Sequence, residues 1–129
     1  MTVLQPPGWP RPKGYSCGVA ASGTTVFVSG QIGWDEHGRF PALDIAGQVR
    51  QALRNVVAVL AEAGARPEHV TRLTWYVADK REYLAAQRAI GEAYRAVMGR
   101  HYPAMSVVEV SALLEDAAKV EIEATAVVA

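Results

Sequence analysis

The segment KVEIEATAVV, residues 119–128, constrains the fold of this chain more than any other stretch. Apolar side chains occupy every second position: Val120, Ile122, Ala124, Ala126 and Val128. The positions between them are mostly polar: Lys119, Glu121, Glu123, Thr125 and Val127. Because successive side chains of a β-strand point to opposite faces of its sheet, this pattern predicts a strand with one buried face.

Two other segments have the periodicity of amphipathic helices. Asp44 is a good N-cap for the first helix, and Gly64 follows its end. Its apolar face is expected at Ile45, Val49, Leu53, Val56 and Leu60. Asp79 and Glu82 form a capping pattern for the second helix, which is expected to end near Gly99. Its buried face is expected at Tyr83, Ala86, Ile90, Ala93 and Val97.

Four further segments are rich in residues that favour strands: 15–22, 24–33, 69–79 and 104–110. Residues 1–14 contain several prolines and are predicted to form an irregular N-terminal arm. The chain, residues 1–129, is therefore predicted to be one domain with the order β-β-α-β-α-β-β and room for a third strand before the first helix.

Two helices can cover only one face of such a sheet, so the other face must meet water or another subunit. In the segment 69–79, Trp75 and Tyr76 fall on opposite faces, so the uncovered face is also partly apolar. This favours an oligomer, and the alternative is a monomer with an amphipathic last strand.

Charge and composition exclude several function classes. Thirteen basic and thirteen acidic residues cancel, which disfavours binding to nucleic acid or to an anionic membrane. The single Cys17 cannot form an intramolecular disulfide, and no apolar run has the length of a signal peptide or a membrane span. The three histidines lack metal-ligand spacing. We therefore expect a cytoplasmic protein with no metal site and no cofactor.

Six segments together resemble one known family. They are GYSCGV, VFVSGQIG, DIAGQVRQALRNVVAVLAEAG, VTRLTWYVAD, YPAMSVVEV and KVEIEATAV, and they extend over about residues 15–128. In this order they are similar to the RidA/YjgF/YER057c family, also called endoribonuclease L-PSP. The resemblance implies an α+β, chorismate-mutase-like (YjgF-type) domain with a mixed or antiparallel sheet and two helices on one face. It also implies a homotrimer around a central barrel, with small-molecule ligands between subunits.

The best-known activity of that family is hydrolysis of reactive enamines and imines to a 2-keto acid and ammonia. An arginine after Pro-Ala holds the substrate carboxylate, and here Met105 stands in its place. Arginine binds a carboxylate through two parallel hydrogen bonds, whereas methionine has no donor. The resemblance therefore implies that the standard 2-imino acid deaminase activity is weak or absent. The sequence offers Arg100, Arg72 and Arg88 as candidate replacements.

The resemblance also transfers roles to matching positions. Glu121 corresponds to the family's catalytic glutamate, which helps to activate the attacking water. The expected ligand-binding positions are Tyr15, Ser29, Gly30, Trp34, Gln87, Met105 and Val107. Structural alternatives exist for five of these positions: Gly30 marks a bulge or turn, Gln87 lies on a helix surface, Tyr15 and Trp34 pack locally, and Glu121 lies on a polar sheet face.

Three functional hypotheses remain compatible with these residues. The first is a divergent hydrolase, resembling a deaminase, that acts on a small nitrogenous or unsaturated metabolite without the arginine. The second is a non-catalytic trimer that binds a small ligand or a partner, with Met105 as an adaptable apolar floor. The third is an ordinary enamine/imine deaminase. RNA cleavage is disfavoured, because the chain is neutral and has no metal motif.

Overall fold

One mixed sheet, covered on one face by helices, forms the body of the protein in a computed structural model that describes all 129 residues. The elements are β1 (Thr2–Leu4), β2 (Gly18–Ala20), β3 (Thr24–Ile32), α1 (Ile45–Glu62), β4 (Val70–Val77), α2 (Lys80–Ala85), α3 (Gln87–Met98), β5 (Ala104–Glu109) and β6 (Val120–Val128). The strand order is β3-β6-β4-β5. Strand β5 runs parallel to β4, and the other pairs are antiparallel. The mixed sheet of the predicted α+β fold is confirmed.

The first helix forms as its sequence predicts. The Asp44 side chain accepts a hydrogen bond from the Gly47 N–H at 3.0 Å, and Gly64 follows with the positive φ of +68° that glycine favours. The whole predicted apolar face is buried: Ile45, Val49, Leu53, Val56 and Leu60. This face packs on the sheet and forms the centre of the core.

The second helix is broken, contrary to the prediction of one continuous helix. The Asp79 side chain caps α2 through the N–H groups of Arg81 and Glu82, but the chain leaves helical geometry at Ala86, where φ is −107° and ψ is 15°. Helix α3 then starts at Gln87. Ile90 and Ala93 are buried as predicted, whereas Tyr94 and Met98 are buried in addition and Val97 is only partly buried.

The N-terminal arm is not wholly irregular, which corrects the prediction for residues 1–14. Strand β1 (Thr2–Leu4) pairs antiparallel with β2 (Gly18–Ala20), because two extended segments satisfy each other's backbone hydrogen bonds. The strand predicted for residues 15–22 is shorter than expected. Before it, Ser16 donates its N–H to the Pro103 carbonyl at 3.0 Å, so this segment is attached to the start of β5.

The two faces of the sheet differ in polarity, as the alternation in residues 119–128 predicts. The predicted inner residues Val120, Ile122, Ala124 and Ala126 are buried under the helices. The opposite side, here called the open face, carries half-buried side chains that are mainly polar: Thr74, Tyr76, Glu121, Glu123 and Thr125. No helix combines the length and apolar character that crossing a bilayer requires.

Gln48 is a buried polar residue that joins α1 to the loop before β6. Its side chain is fully buried; its Oε1 accepts from the Lys119 N–H at 2.7 Å, and its Nε2 donates to the Ala117 carbonyl at 2.9 Å. We expect Gln48→Leu to lower the free energy of unfolding by about 1–3 kcal/mol, because it leaves both backbone groups without a partner. Urea unfolding at a fixed protein concentration measures this change.

The matched control is Gln51→Leu on the same helix. The Gln51 amide donates only to the Asn55 side chain, at 2.9 Å. We expect a smaller loss of stability for this variant, and an equal loss in the two variants would contradict the role given to Gln48.

Candidate functional site

A groove of about 580 Å³ lies between the second helical region and strands β4 and β5. Four of the predicted ligand-binding residues line it together: Tyr15, Gln87, Met105 and Val107. Met105 is partly buried and packs against the core, so it forms an apolar part of the floor. The role of these four residues in ligand binding stays a prediction.

Aromatic side chains that the sequence analysis did not assign to a site form one wall of this groove. The rings of Trp75 and Tyr94 stack with centroids 6.3 Å apart, and those of Tyr94 and Tyr102 with centroids 5.6 Å apart. Burial raises the pKa of Tyr94, so its phenol keeps its proton and donates to the His101 carbonyl. Trp75 Nε1 is buried and has no hydrogen-bond partner, which leaves one unsatisfied donor beside the groove.

Two cations also line the groove, Lys13 and Arg95. None of the arginines considered as replacements for the missing one lines it: Arg72, Arg88 and Arg100. Arg72 instead borders a cleft with open-face residues, and Arg88 lies 3.8 Å from Glu92 on the helix surface. A sequence signal for Arg95 existed, because Gln87, Gly91 and Arg95 recur every four residues and therefore share one helix face.

Ser29, Gly30 and Glu121 form a second group, here called the open-face cluster. Ser29 and Gly30 lie where the pairing of β3 with β6 is irregular, between Val28 and Gln31. A Cβ atom on Gly30 would lie 2.3 Å from Glu121 Oε2, so only glycine lets this carboxylate rest against the β3 backbone. Gly30 therefore lies at an irregularity of the strand and also next to Glu121, the predicted catalytic residue.

The neighbours of Glu121 on the open face are polar. Tyr76 pairs with Glu121 across β4 and β6, and its hydroxyl donates to Glu123 Oε1 at 2.7 Å. This hydrogen bond, with further contributions from burial and from the negative charges of Glu123 and Glu121, raises the pKa of Tyr76. Glu123 therefore has a hydrogen-bond partner within the chain, whereas the Glu121 side chain accepts no hydrogen bond from another residue.

Met105 and Glu121 do not meet within one chain, and the expectation that they share a cleft between subunits stays a prediction. Met105 is in register with Leu73, which is buried under the helices, whereas Glu121 is in register with Tyr76 on the open face. Partners in register point to the same side of a sheet, and Leu73 and Tyr76 point to opposite sides. A single site can contain both Met105 and Glu121 only if two copies of the chain contribute to it.

Trp34 belongs to neither group. It follows the end of β3, its ring centroid lies 6.3 Å from that of Phe40, and its carbonyl accepts from Asn55 Nδ2 at 2.8 Å. Local packing accounts for these contacts, and the proposed place of Trp34 at a cleft mouth stays a prediction.

Comparisons with known proteins agree with this architecture. The family model described as endoribonuclease L-PSP matches residues 10–128. The 2-iminobutanoate/2-iminopropanoate deaminase of Salmonella typhimurium is 38% identical over 105 residues, which are 81% of this chain and 80% of that protein.

Two solved structures are similar over almost their full length. YyfB of Yersinia pestis, a Rid-family protein of unknown function, superposes with a TM-score of 0.86 at 33% identity and 98% coverage of both chains. TdcF of Escherichia coli, solved with bound serine, superposes with a TM-score of 0.71 at 34% identity and 100% coverage of both chains. The predicted YjgF-type fold is therefore confirmed.

Proposed function

Because this chain belongs to the RidA/YjgF (endoribonuclease L-PSP) family, we propose that it is a divergent deaminase-type hydrolase. Its substrate is a small imine or enamine, and its products are a carbonyl compound and ammonia. The site is a cleft between two copies, where the groove of one copy meets the open-face cluster of the next. We propose three such clefts in a homotrimer whose sheets form a central barrel.

One observation carries this proposal: the predicted site residues divide into two groups on opposite faces of the sheet. The groove supplies a pocket with an apolar floor at Met105 but no carboxylate or histidine. The open-face cluster supplies the carboxylate of Glu121 but not the groove. Since each group provides what the other lacks, a pair of copies makes a complete site.

The names of the similar proteins support the reaction class. The Salmonella relative is named as a deaminase of two small imino acids, and TdcF was solved with bound serine, a molecule of comparable size. A groove of about 580 Å³ is large enough for ligands of this kind.

The chemistry assigns one acid–base role to Glu121. Its carboxylate takes a proton from a water molecule as the water oxygen bonds to the imine carbon, and the C=N electron pair moves to nitrogen. The protonated Glu121 returns that proton to the nitrogen. The C–N bond of the resulting carbinolamine then breaks, the hydroxyl proton passes to the departing nitrogen, and a carbonyl compound and ammonia remain.

The test is a competition assay with 2-iminobutanoate, generated in situ by an amino-acid oxidase acting on 2-aminobutanoate. Semicarbazide traps the imine that escapes, so the enzyme slows the formation of semicarbazone from the imine. We expect a rate above uncatalysed hydrolysis. No acceleration, with 2-iminobutanoate or with larger imines made in the same way, would instead favour a non-catalytic ligand-binding protein. The apolar Met105 floor and the absence of a carboxylate or histidine in the groove fit that second candidate.

A further inference from the structure

The groove carries positive charge that no acidic residue neutralises. Lys13 and Arg95 are the only charged residues in its lining. Neither forms an ion pair within the chain, since the four ion pairs present involve His37, Arg66, Arg88 and Lys119. Two unpaired cations around a concave apolar surface create a positive potential, which attracts an anionic ligand.

The position of Arg95 depends on a glycine one turn earlier in α3. A Cβ atom on Gly91 would lie 3.3 Å from Arg95 Nη1 and 3.9 Å from Nη2, so the guanidinium lies directly over this glycine. Residues four apart share a helix face, and both Gly91 and Arg95 line the groove. The exposed guanidinium therefore lies along the groove wall, without a hydrogen-bond partner in the chain.

Strand β5 provides no such charge. Met105 contributes a flexible apolar side chain with no hydrogen-bond donor, and Val107 continues the apolar floor. The cations and the apolar floor lie on different walls, because Arg95 comes from α3 and Lys13 from the N-terminal segment. A ligand with an acidic end and an apolar body matches this division.

We propose that Arg95, assisted by Lys13, is the carboxylate anchor of this groove and replaces an arginine at position 105. The substrate class is then a small imino or enamino carboxylate whose aliphatic or aromatic side chain lies against Met105. This inference rests on the proposed function for the reaction, but it concerns binding and is tested separately from turnover.

The experiment measures binding of two probes to the intact protein by isothermal titration. The probes are 4-methyl-2-oxopentanoate and its methyl ester, which share an apolar body and differ in the carboxylate. We expect the anion to bind about tenfold or more tightly than the ester, because a charge-assisted pair contributes about 1.5–3 kcal/mol. Arg95→Met is expected to remove this preference, Lys13→Met to reduce it, and Arg95→Lys to keep part of it.

Arg88→Met is the matched control, because Arg88 lies on the same helix but outside the groove lining. It should leave the preference unchanged, and thermal unfolding shows that each variant is folded. An alternative role for Arg95 is to stabilise the carboxyl end of α3, where it lies in the last turn. In that case Arg95→Met lowers the melting temperature and keeps the preference for the anion, which would overturn the anchor.

The remaining outcomes separate this inference from the proposed function. If wild type binds neither probe, or binds both equally, the proposal that Arg95 binds the substrate carboxylate is wrong. If Arg95→Met loses the preference for the anion while wild type hydrolyses no imine, Arg95 binds the carboxylate but the proposal of a hydrolase fails. If imines are hydrolysed and Arg95→Met keeps the preference, the hydrolase stands and the anchor fails.

Discussion

Glu121→Gln is expected to lower imine turnover by about 100- to 10,000-fold, the range that a positioned acid–base group contributes. Glutamine keeps the shape of the side chain but cannot take a proton from water. Because the Glu121 side chain is half-buried and caps no backbone group, the variant should unfold at the same temperature as wild type. The measurement is the enzyme-dependent decrease in semicarbazone formation in the competition assay, together with thermal unfolding.

The matched control is Glu123→Gln, two residues along the same face of β6. Glu123 accepts the Tyr76 hydroxyl, and a glutamine oxygen can accept it as well, so turnover should stay near the wild-type rate. Gly30→Ala tests the same carboxylate in a second way. Its Cβ atom would lie 2.3 Å from Glu121 Oε2 and would therefore displace this oxygen. This variant should lose activity and remain folded. Full turnover in Glu121→Gln would remove the acid–base role from this residue.

Mixing two inactive variants is expected to restore activity, because the proposed cleft takes its parts from two copies. Glu121→Gln retains the groove, and Gly91→Phe fills the groove with an aromatic ring but retains Glu121. After joint unfolding and refolding at equal concentrations, about a quarter of the clefts combine an intact groove with an intact Glu121. The enzyme-dependent rate of imine hydrolysis, measured as the decrease in semicarbazone formation, should therefore rise from near zero to about a quarter of the wild-type value.

The control for this experiment mixes Gly91→Phe with the double variant Gly91→Phe/Glu121→Gln. No copy in that mixture has an open groove, so activity should remain absent. If Met105 and Glu121 served one site within a single chain, the first mixture would also stay inactive. That result would contradict the conclusion drawn from their opposite faces.

Local patterns were sufficient for much of the fold. The alternation in residues 119–128 identified the buried face of β6, and Asp44 and Gly64 identified the ends of α1. These features depend on the fixed periods of strands and helices and on capping groups close in sequence. The break at Ala86 was not predictable in this way, because the apolar spacing before and after it fits one continuous helix.

The sequence by itself determined α1, the strands β3 to β6, the family resemblance, and the presence of Met105 where that resemblance implies an arginine. Only the tertiary structure decided that Met105 and Glu121 face opposite sides, because this depends on which residues of β4 each strand pairs with. It also decided that the α3 face shared by Gln87, Gly91 and Arg95 lies beside Met105, because this depends on where α3 docks. Strand register and helix docking arise from packing between distant segments, which no local pattern specifies.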